Sequence, residues 1–284
     1  MAIRPKTLWA SISPVIIGTA MACRDGLENF PSAFVAFLGA ISIQIGTNLI
    51  NDYYDYKKGA DRLDRIGPLR VTQAGLLKPI EIKTAIAFFF LLSAGLCAWL
   101  IRRGGWPVAV IGIFSILSGI LYTAGRRPLG YLGLGEIFVL IFFGPVAVGG
   151  TYYVQSLEIN PAVILAGLGP GFLSMAMLVV NNLRDIDGDQ RAGKKTLAVH
   201  FGRGFAKCEY LFAILGASLT PALVCWMVED HVYSLMASLV SFFAIPLIYT
   251  VFNRSDGPAL NCVLARSGQL LFLYSLLFSI GWLV

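Results

Sequence analysis

Charge is scarce in this chain of 284 residues: 13% are Asp, Glu, Lys or Arg, against 57% hydrophobic. A water-soluble domain carries about 25% charged residues and cannot hide so much Leu, Ile, Val and Phe, so a soluble globular protein is excluded. Histidine is nearly absent. His200 and His231 lie far apart in sequence, which argues against a His-built metal centre. The five cysteines (Cys23, Cys97, Cys208, Cys225, Cys262) show no CxxC pairing and no metal-ligand spacing. They sit in or beside apolar runs and read as small apolar fillers, so a disulfide-built secreted fold is excluded as well.

Long apolar runs are what the sequence has instead. About 20 apolar residues cross the hydrocarbon core as a helix. Such runs predict spans near 8–23, 33–51, 84–101, 106–123, 135–154, 162–182, 209–228, 232–252 and 268–284. The expectation is an all-α polytopic membrane bundle of about nine transmembrane helices, forming a single transmembrane domain over residues 1–284. The first run contains Pro14 and ends in Ala20-Met21-Ala22-Cys23, in the manner of a cleaved signal segment. The eight runs that follow favour a retained helix.

Basic residues orient the bundle. With the N-terminus inside, nineteen of the 22 Lys and Arg fall in cytoplasmic segments, and only Arg24, Arg102 and Arg103 fall outside. The expected location is therefore the cytoplasmic (inner) membrane, with the N-terminus and the functional face towards the cytoplasm. The net charge of +6 follows from that topology and calls for no nucleic acid. Two inside segments, 52–83 and 183–208, are long, polar and rich in both charge signs, and they predict two Asp-rich cytoplasmic loops.

Each follows a polar cluster at a helix end. The first cluster is Asn48-Leu-Ile-Asn51-Asp52-Tyr-Tyr-Asp55, and the second is Asn181-Asn-Leu-Arg-Asp185-Ile-Asp-Gly-Asp189. Both contain Asn-x3-Asp, four helices apart, which suggests a duplicated four-helix unit with one extra helix. Residues four apart share a helix face, so Asn51 points with Asp55, and Asn181 with Asp185 and Asp189. Asp52 shares a stripe with Asn48 and Asp55. A single cluster would pass as a solvated helix end. Two acid-rich clusters at the membrane boundary are repulsive unless a cation neutralises them. All-oxygen ligation suits Mg²⁺, which is usually held by a few carboxylates plus substrate phosphates. Cations follow each cluster: Arg65 and Arg70 after the first, Lys194 and Lys195 after the second. Acids with adjacent cations fit a metal-bound diphosphate.

These stretches resemble the UbiA superfamily of membrane prenyltransferases, which carries two Asp-rich motifs after the second and sixth of nine helices. Within it, the closer similarity is to the branch that prenylates 1,4-dihydroxy-2-naphthoate in menaquinone synthesis. The likeness rests on Arg4-Pro-Lys-Thr-Leu8, on Asn51 to Asp61, on Gly67-Pro-Leu-Arg-Val-Thr-Gln-Ala-Gly75 and on Asn181 to Ala198. Tyr122-Thr-Ala-Gly125 and Pro128 to Glu136 are similar too. The chain departs from the pattern at Gly59, where the family often has a third Asp, and at Gly125-Arg126, where the naphthoate branch often reads Gly-Pro.

The resemblance implies a polyprenyl diphosphate donor, an aromatic acceptor that loses its carboxylate as CO₂, and Mg²⁺ as cofactor. It also implies roles. Asp52, Asp55, Asp185 and Asp189 would be metal ligands, directly or through water. Asn48, Asn51 and Asn181 would hydrogen-bond ligands or phosphate, while Arg65, Arg70, Lys194 and Lys195 would grip the diphosphate or the acceptor carboxylate. Tyr122 would either steady an allylic cation through its ring face or serve as an interfacial belt residue. Other readings are a different aromatic acceptor within the superfamily, or a cation-coupled membrane transporter.

Overall fold

The computed structural model describes residues 4–57, 75–125 and 128–284. The described residues form helices joined by short connections, with no strand among them. In chain order these are α1 (Pro5–Arg24), α2 (Phe30–Lys57), α3 (Pro79–Leu121), α4 (Gly135–Phe142), α5 (Pro145–Ser156), α6 (Pro161–Ala166), α7 (Leu168–Arg191), α8 (Leu197–Val228), α9 (Val240–Asn253) and α10 (Gly257–Leu283). Starts are set by local chemistry. Proline occupies the first turn of α1, α3, α5, α6 and α10, where its missing N–H costs nothing. The side chains of Asn160, Thr196 and Asp256 each accept a hydrogen bond from a first-turn N–H.

Among the described residues, seven helical stretches are long and apolar enough to cross a membrane. The longest, α3, has 43 residues and doubles back at Gly105, whose φ of 67° only glycine adopts freely. Contact proves the reversal. A Cβ on Gly112 would lie 2.1 Å from the Cys97 sulfur, whereas a straight helix would hold these residues roughly 22 Å apart. The two runs expected at 84–101 and 106–123 are therefore the arms of one helical hairpin.

Two further stretches break at the same place in space. The α4–α5 stretch bends at Gly144 and the α6–α7 stretch at Gly167. A Cβ on Gly144 would meet the Gly167 carbonyl at 2.6 Å, and one on Gly167 would meet the Pro145 nitrogen at 2.7 Å. Backbones approach this closely only where side chains are absent, the usual device for packing helices in lipid.

Helix ends differ from the apolar runs in a way that matters for function. The polar clusters were expected at helix ends, where the apolar runs near 33–51 and 162–182 lead into Asp-rich loops. The structure continues α2 through Asn51, Asp52 and Asp55 to Lys57, and α7 through Asn181, Asp185 and Asp189 to Arg191. Nothing in Asn51–Lys57 stops a helix, and α7 ends only before Gly193, whose φ is 72°. The last helix starts eleven residues before the run expected at 268, because Asn261 and Ser267 interrupt the apolar pattern yet face other helices.

α7 is the centre of the bundle, packed on α8, α10 and α4, while α1 packs on α10, α5 and α2, and α2 on the α3 hairpin. Of the most apolar window of each stretch, 72% is buried in Pro161–Arg191 but 17% in Pro79–Leu121. The α3 hairpin is thus a lipid-facing wall, and the α7 region is the core.

Candidate active site

One cavity of about 390 Å³ runs between α1, α2, the α3 hairpin, α4, α5 and α7. At one end it is lined by the ends of α2 and α7 and the segment after α7. At the other it is apolar, reaching Leu100 and Val108 beside the turn of the hairpin. Residues of both Asn-x3-Asp clusters line the polar end: Asn48, Asn51 and Asp55 from α2, and Asn181, Asp185 and Asp189 from α7. Tyr122 and Lys194 line it too.

A cation of the chain itself joins the clusters. The Lys194 ammonium lies 3.5 Å from Asp55 Oδ1 and 3.2 Å from Asp189 Oδ1, and 5.1 Å from the centre of the Tyr131 ring. The turn at Gly193 directs Lys194 back over the end of α7, where its N–H donates to the Asp189 carbonyl at 2.9 Å. The next residue behaves differently. Lys195 is exposed and is not among the cavity-lining residues; its N–H donates to the Tyr131 carbonyl at 3.0 Å.

The α2 cluster is held from outside its own helix. Thr123 Oγ1 donates a short hydrogen bond to Asn51 Oδ1, and the Tyr131 hydroxyl donates to Asp55 Oδ1 at 3.3 Å. Asn48 Nδ2 donates to Thr7 Oγ1 at 3.3 Å, and Thr7 donates to the Arg4 carbonyl at 3.0 Å. Arg4 also lines the cavity. Asp52 is 1% exposed but is not among the cavity-lining residues. Arg65 and Arg70 lie outside the described residues, as does Asp61.

The α7 cluster has an anchor within its own helix. Arg184, 4% exposed, donates from Nε and Nη2 to the two oxygens of Asp185 at 2.8 and 2.5 Å. Nη2 also donates to Asn181 Oδ1 at 2.7 Å, and Nη1 donates to Asn261 Oδ1 on α10 at 2.7 Å. A bidentate Arg–carboxylate fork fixes orientation as well as charge. Next to Asn181, buried Asn182 donates to Glu136 Oε1 at 2.7 Å, tying α7 to the start of α4.

Arg184, Tyr131, Thr123 and Thr7 were not singled out from the sequence. Arg184 stands inside the second cluster but reads there as another positive-inside cation. The other three carry no signal beyond their place in the similar stretches.

The donor set fits Mg²⁺ brought in with a diphosphate better than a cation bound by protein alone. The convergent groups are oxygen donors, and acids of both clusters already share one ammonium. Among the described residues no three His, Cys, Asp or Glu side chains form a ready-made metal cage. Mg²⁺ characteristically keeps only one or two carboxylates and completes its shell with water and phosphate oxygens.

Comparison with known proteins gives concordant matches. The UbiA prenyltransferase family matches residues 11–278. The 1,4-dihydroxy-2-naphthoate octaprenyltransferase of Escherichia coli (strain K12) is 36% identical over 98% of this chain and 92% of its own length. The Mycobacterium tuberculosis protein of the same name is 41% identical over 75% of this chain and 73% of its own. Among solved structures, a UbiA homolog from Archaeoglobus fulgidus bound to GPP and Mg²⁺ superposes with a TM-score of 0.66 at 19% identity, covering 98% of both chains.

Proposed function

The chain belongs to the UbiA prenyltransferase family, and from that premise we propose that it moves a polyprenyl group from its diphosphate to 1,4-dihydroxy-2-naphthoate, with loss of CO₂, giving demethylmenaquinol. The family membership makes it a multi-pass membrane prenyltransferase and sets aside the transporter reading. The observation that carries the proposal is the single cavity with both Asp clusters at its polar end and an apolar body.

Asp55, Asp185 and Asp189 supply oxygen donors for Mg²⁺, which when bound contributes Lewis-acid stabilisation of the leaving diphosphate. Lys194 gives up its carboxylates to take phosphate oxygens, with Arg65 and Arg70 assigned to the same anion. Asn51 and Asn181 hydrogen-bond ligands or phosphate. As the C1–O bond of the donor breaks, its electron pair leaves with the diphosphate. The ring carbon bearing the carboxylate then bonds to the allylic cation. The electrons of the carbon–carboxylate bond restore aromaticity and CO₂ departs, so this step needs no general base. The apolar wall keeps water from the cation. The concentration of Lys and Arg on the α2 and α7 ends supports a cytoplasmic active face.

The test is incubation of membranes carrying the protein with dihydroxynaphthoate and a long prenyl diphosphate, with Mg²⁺ and then with EDTA. The expected result is a prenylated, decarboxylated quinol formed only with Mg²⁺. Product with hydroxybenzoate or homogentisate but not with dihydroxynaphthoate would overturn the acceptor assignment. Product undiminished by EDTA would overturn the metal role.

A further inference from the structure

The cavity continues well past the polar clusters. Its wall follows α2 from Asn51 through Asn48 and Gln44 to Gly39 and Ala36. At 1.5 Å per residue, Gly39 lies about 18 Å along the helix from Asn51, and Ala36 about 22 Å.

Gly39 differs from Gly112 and Gly119 of the same wall. A Cβ on Gly112 would strike the Cys97 sulfur at 2.1 Å, and one on Gly119 would strike Thr47 Oγ1 at 2.5 Å. Those two glycines let helices touch. A Cβ on Gly39 would meet nothing within 4 Å, although the residue lines the cavity. Packing therefore does not demand glycine here, and glycine weakens a helix relative to alanine. What the missing side chain leaves is open passage.

We propose that Gly39, with Ala36 one turn deeper on the same face, is the point that decides which prenyl tails the cavity admits; this rests on the prenyltransferase reading. An extended carbon chain advances roughly 1.2 Å per bond, as the polypeptide backbone does. On that scale a geranyl tail reaches about 9 Å, a farnesyl tail about 14 Å, a geranylgeranyl tail about 19 Å and an octaprenyl tail about 38 Å. Geranyl and farnesyl tails end short of Gly39. A geranylgeranyl tail arrives at it, and an octaprenyl tail must pass.

The experiment uses the full chain in membranes and the four prenyl diphosphates with one common acceptor, comparing wild type with Gly39→Phe, Ala36→Phe and the control Gly39→Ala. Gly39→Phe is expected to keep geranyl and farnesyl transfer within about twofold of wild type and to lose octaprenyl transfer by about tenfold or more, as a filled pocket discriminates by size. Ala36→Phe moves the block by three residues, about 4.5 Å, close to one isoprene unit. It should therefore tolerate one unit more than Gly39→Phe does. Gly39→Ala should keep geranyl and farnesyl transfer and lower octaprenyl transfer less than Gly39→Phe does.

Octaprenyl transfer by Gly39→Phe at the wild-type rate would overturn the inference while leaving the enzymatic reading intact. Equal loss with all four donors would overturn it in favour of a packing role. Wild-type membranes inert towards every donor would overturn the enzymatic reading, and this inference with it.

Discussion

The two clusters share Asn-x3-Asp in sequence and are differently held in space. On α7, Arg184 lies in the cluster itself and grips Asn181 and Asp185 together, with Asn261 of α10 behind it. On α2, Asn51 and Asp55 take their partners from the α3–α4 connection, Thr123 and Tyr131, and from Lys194 after α7. The second cluster is set by its own helix and the central core. The first depends on segments that must come to it. Duplicated chemistry is thus held by different neighbours.

Breaking either half at its acid should have the largest effect. Asp55→Asn and Asp185→Asn should each lower turnover by about 10²-fold or more, as loss of a group stabilising developing charge does. Membrane insertion should be unchanged, checked by quinol formation against the amount of inserted protein. Near-normal turnover in either variant would remove that half from the site.

Removing the α7 clamp should separate rigidity from chemistry. Arg184→Gln leaves the Asp185 carboxylate without its fork at a place where the Arg184 side chain is 1% exposed. Breaking one partner of a buried pair costs about 3 kcal/mol or more, so the detergent-solubilised protein should melt at a clearly lower temperature and lose activity. Arg184→Lys should fall between, keeping the charge but not the bidentate geometry. If Arg184→Gln melts like wild type, the α7 half is not preorganised in the way described.

Lys194→Gln tests the link between the halves. Without the ammonium, Asp55 and Asp189 repel, so the variant should be less thermostable without divalent cation and recover most of that loss with Mg²⁺. Turnover should drop by about tenfold through loss of a charge-assisted contact to phosphate. Thermal melts with Mg²⁺ and with EDTA read the first effect directly. A deficit that Mg²⁺ does not relieve would contradict the shared-cation arrangement.

The smallest effect belongs to Tyr131→Phe, which removes the 3.3 Å hydrogen bond to Asp55. A net loss of about 1 kcal/mol is expected, seen as a rise of a few-fold in KM for the prenyl diphosphate with little change in kcat. A larger effect would mean that the hydroxyl does more than hold Asp55.

Much of this was legible in advance. Apolar runs located the seven long apolar stretches of the described residues, because lipid imposes one requirement, internal satisfaction of the backbone, on every span. Helical periodicity put Asn51 with Asp55 and Asn181 with Asp185 and Asp189, and these residues share one cavity wall. Other features were not legible. Lys194 and Lys195 are adjacent cations of the same type, yet one bridges two helices while the other is exposed. The turn at Gly193 makes the difference, and periodicity does not extend across a turn. Asp52 shares a helical stripe with Asp55 in the sequence, but it is buried and is not among the cavity-lining residues. Arg184 was passed over because a basic residue at a cytoplasmic helix end already satisfies the positive-inside rule without any role in the site.

The sequence by itself determined the solvent of this protein, the helical class, the existence of two acid-bearing helix ends and the residues grouped on each. Those properties follow from composition and from the period of a single helix, which are local. Only the tertiary structure decided that the two ends meet over one cavity, that Arg184 and Lys194 organise them, and that an open position at Gly39 lies along the wall. These depend on how separate helices cross and how closely they approach, and that is fixed by packing among residues far apart in the chain.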